Sequence, residues 1–394
     1  MSISYDGSKV SNEDKTTYED KVRLTKATMQ ALYPVSVWCG LISFVDKKKN
    51  LAYNVRQLIF PTLCLILTTA LLMHEFPNMF VLRGKRIAVM RHKSSKYNLY
   101  VIHVVYFFKL YTTLFVSITR SKWLPVIFYE IFKINKALKL DIKPKDGNRL
   151  TWLAVIFTAI PYIVRLITFP GKTVHLEIVQ TAIEMSVFIP VILNAQHHQV
   201  CILLSDAFDS INQNLIRQLQ SSDLTDAEKT KLTSKYNEAH RRLCDLIRLI
   251  NDLYKYPILM ELLNNSMGVA TIMFHTLDFS AHLNWWYNSS NGLSRGIQIV
   301  VRLYFLCYSC TEVIAKSKET INALVKGYEL SHDKILQREI EVFVRRIQNE
   351  RVVFDICGLF SINTKTFISI LRITTSFVLI LIQFNPHPSI RANK

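Results

Sequence analysis

Much of what catalysis or nucleic-acid binding would need is missing from this chain. No nucleophile–base pair, phosphate-cradling glycine loop or metal-ligand cluster stands in its polar segments, so neither an enzyme nor a cofactor is expected. The chain holds 48 Lys and Arg against 30 Asp and Glu, a net charge of +18. Yet no basic stretch is interleaved with stacking aromatics, which excludes a nucleic-acid surface from the expected partners. Glycine is scarce, with 10 in 394 residues. The first thirty residues are polar and of mixed charge. They lack the short apolar core of a cleavable signal, so the first membrane helix is expected to direct insertion. The two halves show no self-similarity, the repeat signature that would favour a secondary transporter coupled through Arg165 and Glu184.

What is present in quantity is apolar residue. Half of the chain is hydrophobic and the mean hydropathy is +0.18. The apolar residues come in long blocks, whereas a soluble protein of this length interleaves them at periods of 2 or 3.6. The expected class is an all-α polytopic membrane protein. Seven spans of membrane-crossing length are read at about 55–75, 97–119, 150–169, 174–204, 257–283, 294–314 and 364–384. An eighth apolar patch, 32–45, contains Pro34 and Gly40 and reads as an amphipathic segment at the inner membrane surface. The organisation that follows is a tail with that juxtamembrane segment (1–54), spans one to four (55–204) and a helical anchor segment (205–256). Spans five and six (257–314), a second helical segment (315–363), span seven (364–384) and a short tail (385–394) complete it.

Charge sets the orientation. Lys and Arg number eight in each of 1–54, 120–149, 205–256 and 315–363, or 32 on one side, against 10 on the other. The richer side faces the cytosol, so the N-terminus is expected inside and the C-terminus outside. Loop 76–96, with six positive charges on the outer side, is the discordant piece. A receptor coupled to G proteins has the opposite topology, and this chain has neither a D-R-Y after span three nor an N-P-x-x-Y in span seven. Asn288-Ser289-Ser290 is a glycosylation acceptor in the expected outer loop. The match at Asn264 falls inside span five and reads as chance. Spans four to seven are expected to continue as helices on the cytosolic side. Leu232, Tyr236, Leu243, Leu246, Ile250 and Leu253 recur at helical spacing there, and so do Ile335, Ile340, Phe343, Ile347 and Phe354. The seven cysteines read as free thiols acting as small apolar residues. Cys307 and Cys310 form C-x-x-C inside an apolar span with no His cluster beside it in sequence, a weak metal signal.

Span seven carries a stripe. Lys365, Ser369, Arg372, Ser376 and Gln383 fall on one helical face, with Leu379 or Ile380 filling the gap near the outer end. Two readings stand. The stripe lines a water path, where four copies would form an outer ring of Gln383 that gates by dewetting. Alternatively it packs against other spans, with Ser and Gln as interhelical glue. Lys365 and Arg372 repel cations unless they sit in a wide, hydrated inner mouth or pair with Asp355 and Glu350.

The end of this span resembles the hallmark of the insect gustatory receptors, within the wider insect chemoreceptor superfamily. That hallmark is Thr-Tyr, five hydrophobic residues and Gln-Phe. Here Ser376-Phe377 precede Val378 to Ile382 and then Gln383-Phe384. The preceding Cys357-Gly358-Leu359-Phe360 is similar to the family's Gly-Leu-Phe turn. The resemblance implies a ligand-gated, nonselective cation channel of the sensory-neuron plasma membrane, tetrameric around span seven and either homomeric or mixed with related subunits. It implies anchoring through the cytosolic helices, a gate at or beside Gln383 and Phe384, and an outward-opening ligand pocket within spans one to six. Sugar-sensing members tend to carry an acidic residue where Val378 stands, so a bitter or other non-sugar tastant is the expected ligand. The alternative is an odorant-type subunit that needs a co-receptor. Membrane lipid and permeant cations are the other expected partners.

Ionisable residues inside a membrane protein face a cavity or one another, and pockets join aromatic walls to a few polar groups. The ligand-binding candidates are therefore Tyr106 of span two, Tyr162 and Arg165 of span three, and Gln180 and Glu184 of span four. Span five adds His275, Asp278, His282, Trp285 and Trp286, and span six adds Arg302. His103, Glu177 and Tyr304 are further outer-half candidates. Arg165 with Glu184, and Asp278 with Arg302, are possible ion pairs. The Trp285-Trp286 pair also suits an interfacial belt. His275, Asp278 and His282 share one face, where hydrogen bonding rather than metal ligation is expected.

Overall fold

The computed structural model describes residues 13–29, 33–34, 36, 66, 108–109, 111–116, 119, 123–138, 174–278, 285–350 and 352–384. Its named elements are α1 (Glu13–Met29), α2 (Trp123–Leu138), α3 (Val174–Gln220), α4 (Asp226–Asp278), α5 (Trp285–Leu330) and α6 (Lys334–Asn349). A two-stranded hairpin, β1 (Asp355–Ile356) and β2 (Phe360–Ser361), leads into α7 (Thr364–Phe384). Residues 108–109 and 111–116 are also helical.

α3, α4 and α5 run 47, 53 and 46 residues without a break. At 1.5 Å per residue each is roughly twice as long as a bilayer core is thick. Each of these helices runs past the bounds of its expected span into the neighbouring segment that the amphipathic spacing reads as helical. Among the described residues one stretch, Gly296–Leu330, is long and apolar enough by length and composition to cross a membrane.

Local chemistry explains where these helices stop. α3 ends at the Ser221–Thr225 break. There Thr225 and Glu228 form a reciprocal capping box: the Thr225 N–H donates to Glu228 Oε2 at 3.0 Å, and the Glu228 N–H donates to Thr225 Oγ1 at 3.4 Å. Asp333 caps α6, accepting from the Ile335 and Leu336 N–H groups at 3.1 and 3.4 Å. α3 and α5 meet closely at Gly327, where a Cβ would come within 2.3 Å of Leu219 Cδ1.

The segments expected on the cytosolic side pack as a helical bundle. The stripe Tyr236, Leu243, Leu246, Ile250 and Leu253 of α4 is buried, with Leu232 partly so. On α6 the buried stripe is Leu336, Ile340, Phe343 and Ile347. Ile335, expected among them, is 68% exposed. The helix starts at Lys334, and this phase turns Leu336 inward in its place.

Two further expectations are corrected. Asn288 was read in the loop between spans five and six and Trp285 and Trp286 with span five, but all three lie in the first turn of α5. The glycosylation acceptor is therefore helical. Span seven does not continue directly from α6 either: the hairpin separates them. Its register pairs Asp355 with Ser361 and Ile356 with Phe360. Cys357 and Gly358 both take positive φ, 52° and 73°, as a type I′ turn requires. Leu359 N–H donates to Ile356 C=O at 2.9 Å, and Gly358 N–H donates to Asp355 Oδ2 at 2.7 Å. This tight turn is the Gly-Leu-Phe motif seen in the sequence.

Candidate functional site

Three arrangements concern function: the face of α7, a buried ionic group in the helices behind it, and the bundle below it. α7 begins with Asn363 as its cap, whose Oδ1 accepts from Thr366 N–H at 3.0 Å. Thr364 N–H donates to Thr311 Oγ1 of α5 at 3.0 Å, which ties the first turn of α7 to its neighbour. Ser361 C=O accepts from Thr366 Oγ1 at 2.6 Å. The helix entry is thus fixed by α5 and the hairpin together.

α7 packs on α4 and α5 through Phe367, Ile370, Leu371, Thr374 and Val378, a run at helical spacing that is buried or half-buried. Lys365, Ser369, Arg372, Ser376 and Gln383 are all exposed. Leu379 and Ile380 beside them are 54% and 46% exposed. The polar stripe therefore does not pack against the described part of its own subunit. Phe384 ends α7, with its side chain outside the described residues.

Lys365 and Arg372 do not have the partners considered for them. Arg346 and Arg248 approach Glu350 at 3.3 and 3.9 Å, and Asp355 is engaged by the hairpin turn. Tyr304, considered for the ligand pocket, meets Phe367 of α7 edge-on at 5.6 Å and stacks on Tyr308 at 5.7 Å.

Besides Tyr304, Arg302 is the ligand candidate whose side chain is described. It is largely buried and lies 3.7 Å from Glu261; the side chain of Asp278, considered as its partner, lies outside the described residues. Glu261 also pairs with Lys109 and accepts from Asn265 Nδ2 at 3.1 Å. Lys109, Glu261 and Asn265 are each buried to within about one percent. Two cations thus share one carboxylate between expected spans two, five and six. Sequence reasoning missed Lys109 and Glu261, although both are ionisable residues inside expected spans, which is itself a functional signal. Tyr106, Tyr162, Arg165, His282 and His103 lie outside the described residues. Glu177, Gln180 and Glu184 are on α3, His275 and Asp278 on α4, and Trp285, Trp286 and Asn288 on α5. The side chains of these eight are outside the described set.

Below the expected membrane level, His240 of α4 is buried among α3, α5 and α6. Its ring lies edge-on to Phe208 at 5.1 Å and Phe343 at 5.6 Å. Its Nε2 is 3.2 Å from Ser317 C=O and its Nδ1 is 3.2 Å from Arg346 Nη2. A carbonyl accepts and a guanidinium donates, so the network assigns a neutral ring with the proton on Nε2. Burial, with a smaller contribution from Arg346, depresses the imidazole to about 4, against the ordinary 6.5. The unfolded chain then binds a proton that the fold does not between these values. Stability from this group is fully present above pH 6.5 and is lost as pH falls towards 4. The loss is about 3 kcal/mol across that window. Thermal unfolding midpoints of the detergent-solubilised protein should drop more between pH 7 and 5 in the wild type than in His240→Gln.

A family model described as 7tm Chemosensory receptor matches residues 29–386. In Drosophila melanogaster, Gustatory receptor for bitter taste 66a is 26% identical over 181 residues, covering 42% of this chain and 33% of that protein. Putative gustatory receptor 22c of the same fly is 25% identical over 242 residues, covering 59% of this chain and 61% of the relative. The chain thus spans between one third and about three fifths of the length of these relatives. Among solved structures, the insect olfactory receptor OR5 of Machilis hrabei in complex with eugenol superposes with a TM-score of 0.66 at 12% identity. The match covers 93% of this chain and all of that one. The predominantly helical fold and a family match over most of the length agree: the chain belongs to the 7tm chemosensory receptor family.

Proposed function

We propose that this protein is a gustatory receptor working as a ligand-gated, nonselective cation channel in the plasma membrane of a sensory neuron, opened by a small bitter or other non-sugar tastant. The observation that carries this reading is the face of α7. Its polar stripe, from Lys365 to Gln383, is left uncovered by the subunit's own described helices. Unpartnered amide and hydroxyl groups at membrane depth need water or a neighbouring chain. Four copies of α7 around an axis supply both. In that assembly Gln383 and Phe384, with Leu379 and Ile380, form the outer constriction. Ser376 and Arg372 line the path beneath, and Lys365 sits at the hydrated inner mouth. The named pocket residues of spans two to six receive the tastant. Copies of this chain, alone or mixed with related subunits, complete the channel. The bitter preference rests on Val378 in place of an acidic residue and on the named activity of one Drosophila relative.

Expression of this chain alone in a nonconducting cell is expected to give tastant-evoked cation current in a screen of alkaloids, amino acids and sugars. Saturable substrate uptake without current would favour a transporter and sink the channel reading. The fold likeness to an olfactory receptor favours a second reading, a subunit that is silent alone and conducts only with a co-receptor. Current that appears only on co-expression would select it.

A further inference from the structure

Cys310, the second cysteine of the C-x-x-C, is not isolated in space. From α5 its Sγ comes within 4.8 Å of donor atoms on both His197 and Cys201 of α3. All three residues are at most 1% exposed. His197 and Cys201 are four residues apart, so one helical face presents both. The Cys201 Sγ is 3.8 Å from His197 Nε2 and 3.9 Å from Nδ1. Donors that share one ion through bonds of about 2.3 Å to sulfur and about 2.0 Å to nitrogen lie roughly 3.6–4.0 Å apart. The His197–Cys201 pair therefore has the spacing of two ligands of one ion, with Cys310 no more than 4.8 Å from either. The His197 ring is held edge-on by Tyr254 at 5.0 Å and by Phe354 at 6.1 Å. Packing thus sets its plane and limits its rotation.

We propose that His197, Cys201 and Cys310 form a binding site for a thiophilic d10 metal ion, zinc(II) being the best match. Soft sulfur donors with an imidazole select this class. Charge selects the divalent ion. Two thiolates and a neutral imidazole around zinc(II) form a neutral unit, whereas a monovalent ion leaves one negative charge buried, which is costly in a low-dielectric interior. Binding releases the two thiol protons to solvent as two sulfur–metal bonds form, so charge balances without a further co-reactant. The site joins α3 to α5 near the inner ends of expected spans four and six. It lies directly behind Phe354, which opens the hairpin that feeds α7. An ion there stiffens the support of the last helix. The proposal does not depend on what α7 conducts.

The test is metal content of the full chain, purified in detergent with reductant, loaded with zinc(II) and dialysed, then measured by plasma mass spectrometry. The expected result is one zinc per chain in the wild type and in Cys307→Ser. Cys201→Ser/Cys310→Ser should fall at least tenfold, and zinc should raise the unfolding midpoint of the wild type but not of the double variant. Cadmium(II) is a second probe: the ultraviolet thiolate-to-metal band should appear in the wild type and vanish in the double variant. If the double variant does not fold, His197→Gln stands in, with weakened zinc retention expected and a size-exclusion profile to verify its fold. Equal zinc in wild type and variant, no zinc in folded wild type, or a Cys201–Cys310 disulfide found by peptide mass spectrometry would each overturn the proposal.

Discussion

Glu261→Gln is expected to remove most folded protein, while Lys109→Met is expected to be tolerated. Glu261 is the one carboxylate shared by Lys109 and Arg302 in the buried ionic group. Neutralising it leaves two buried cations facing each other with only amide dipoles nearby. Removing one partner of a buried ion pair costs about 3–5 kcal/mol, a large share of the roughly 5–15 kcal/mol that keeps a domain folded. Lys109→Met acts in the opposite sense. It deletes the excess positive charge, puts an apolar chain of similar length in its place and leaves Glu261 with Arg302. The combination Lys109→Met/Glu261→Gln leaves a single buried guanidinium and should recover part of the loss. Surface expression and size-exclusion profiles of the three variants test the order: wild type near Lys109→Met, then the double variant, then Glu261→Gln. If Glu261→Gln matched the wild type, the buried pairing would have no structural weight.

The second large effect is expected at Gln383. In the proposed tetramer each copy contributes one side-chain amide to the outer constriction, with Leu379 and Ile380 beside it. A hydrogen bond made in only one gating state is worth about 1 kcal/mol. Four copies acting together shift the open–closed ratio by roughly a thousandfold, since about 1.4 kcal/mol is a factor of ten. Gln383→Ala should therefore give either constitutive current or a channel that no longer opens, with surface expression unchanged. Gln383→Glu adds a ring of negative charge to the same mouth and should raise cation selectivity over anions. Thr374→Val is the control, because Thr374 lies on the buried face of α7 and should leave permeation as it was. Identical gating and permeation in Gln383→Ala and wild type would remove the stripe from the pore.

Particular residues show how far the sequence could be read. The α4 stripe from Leu232 to Leu253 was legible because one face of a long helix repeats every three or four residues whatever it packs against. The start of α6 was not: a one-residue change of phase moves Ile335 out and Leu336 in, and Asp333 sets that phase. Asn288 was read as loop because polar residues cluster there, yet the helix begins at Trp285. Periodicity gives the existence of a helix more firmly than its ends.

The last helix separates the two sources of information most clearly. Its length and the spacing of Lys365, Ser369, Arg372, Ser376 and Gln383 are properties of the linear chain, because helical geometry acts locally. The face left uncovered was decided by tertiary structure, since that depends on α4 and α5 taking up Phe367, Thr374 and Val378 on the other side. The same holds for the buried groups. Lys109, Glu261 and Arg302 come from three segments far apart in sequence, and His197 and Cys201 meet Cys310 across two helices. Each is an unremarkable residue in the linear chain. Only packing puts one carboxylate between two cations, or three soft donors within a metal's reach, because those distances are set by how long helices lie against one another.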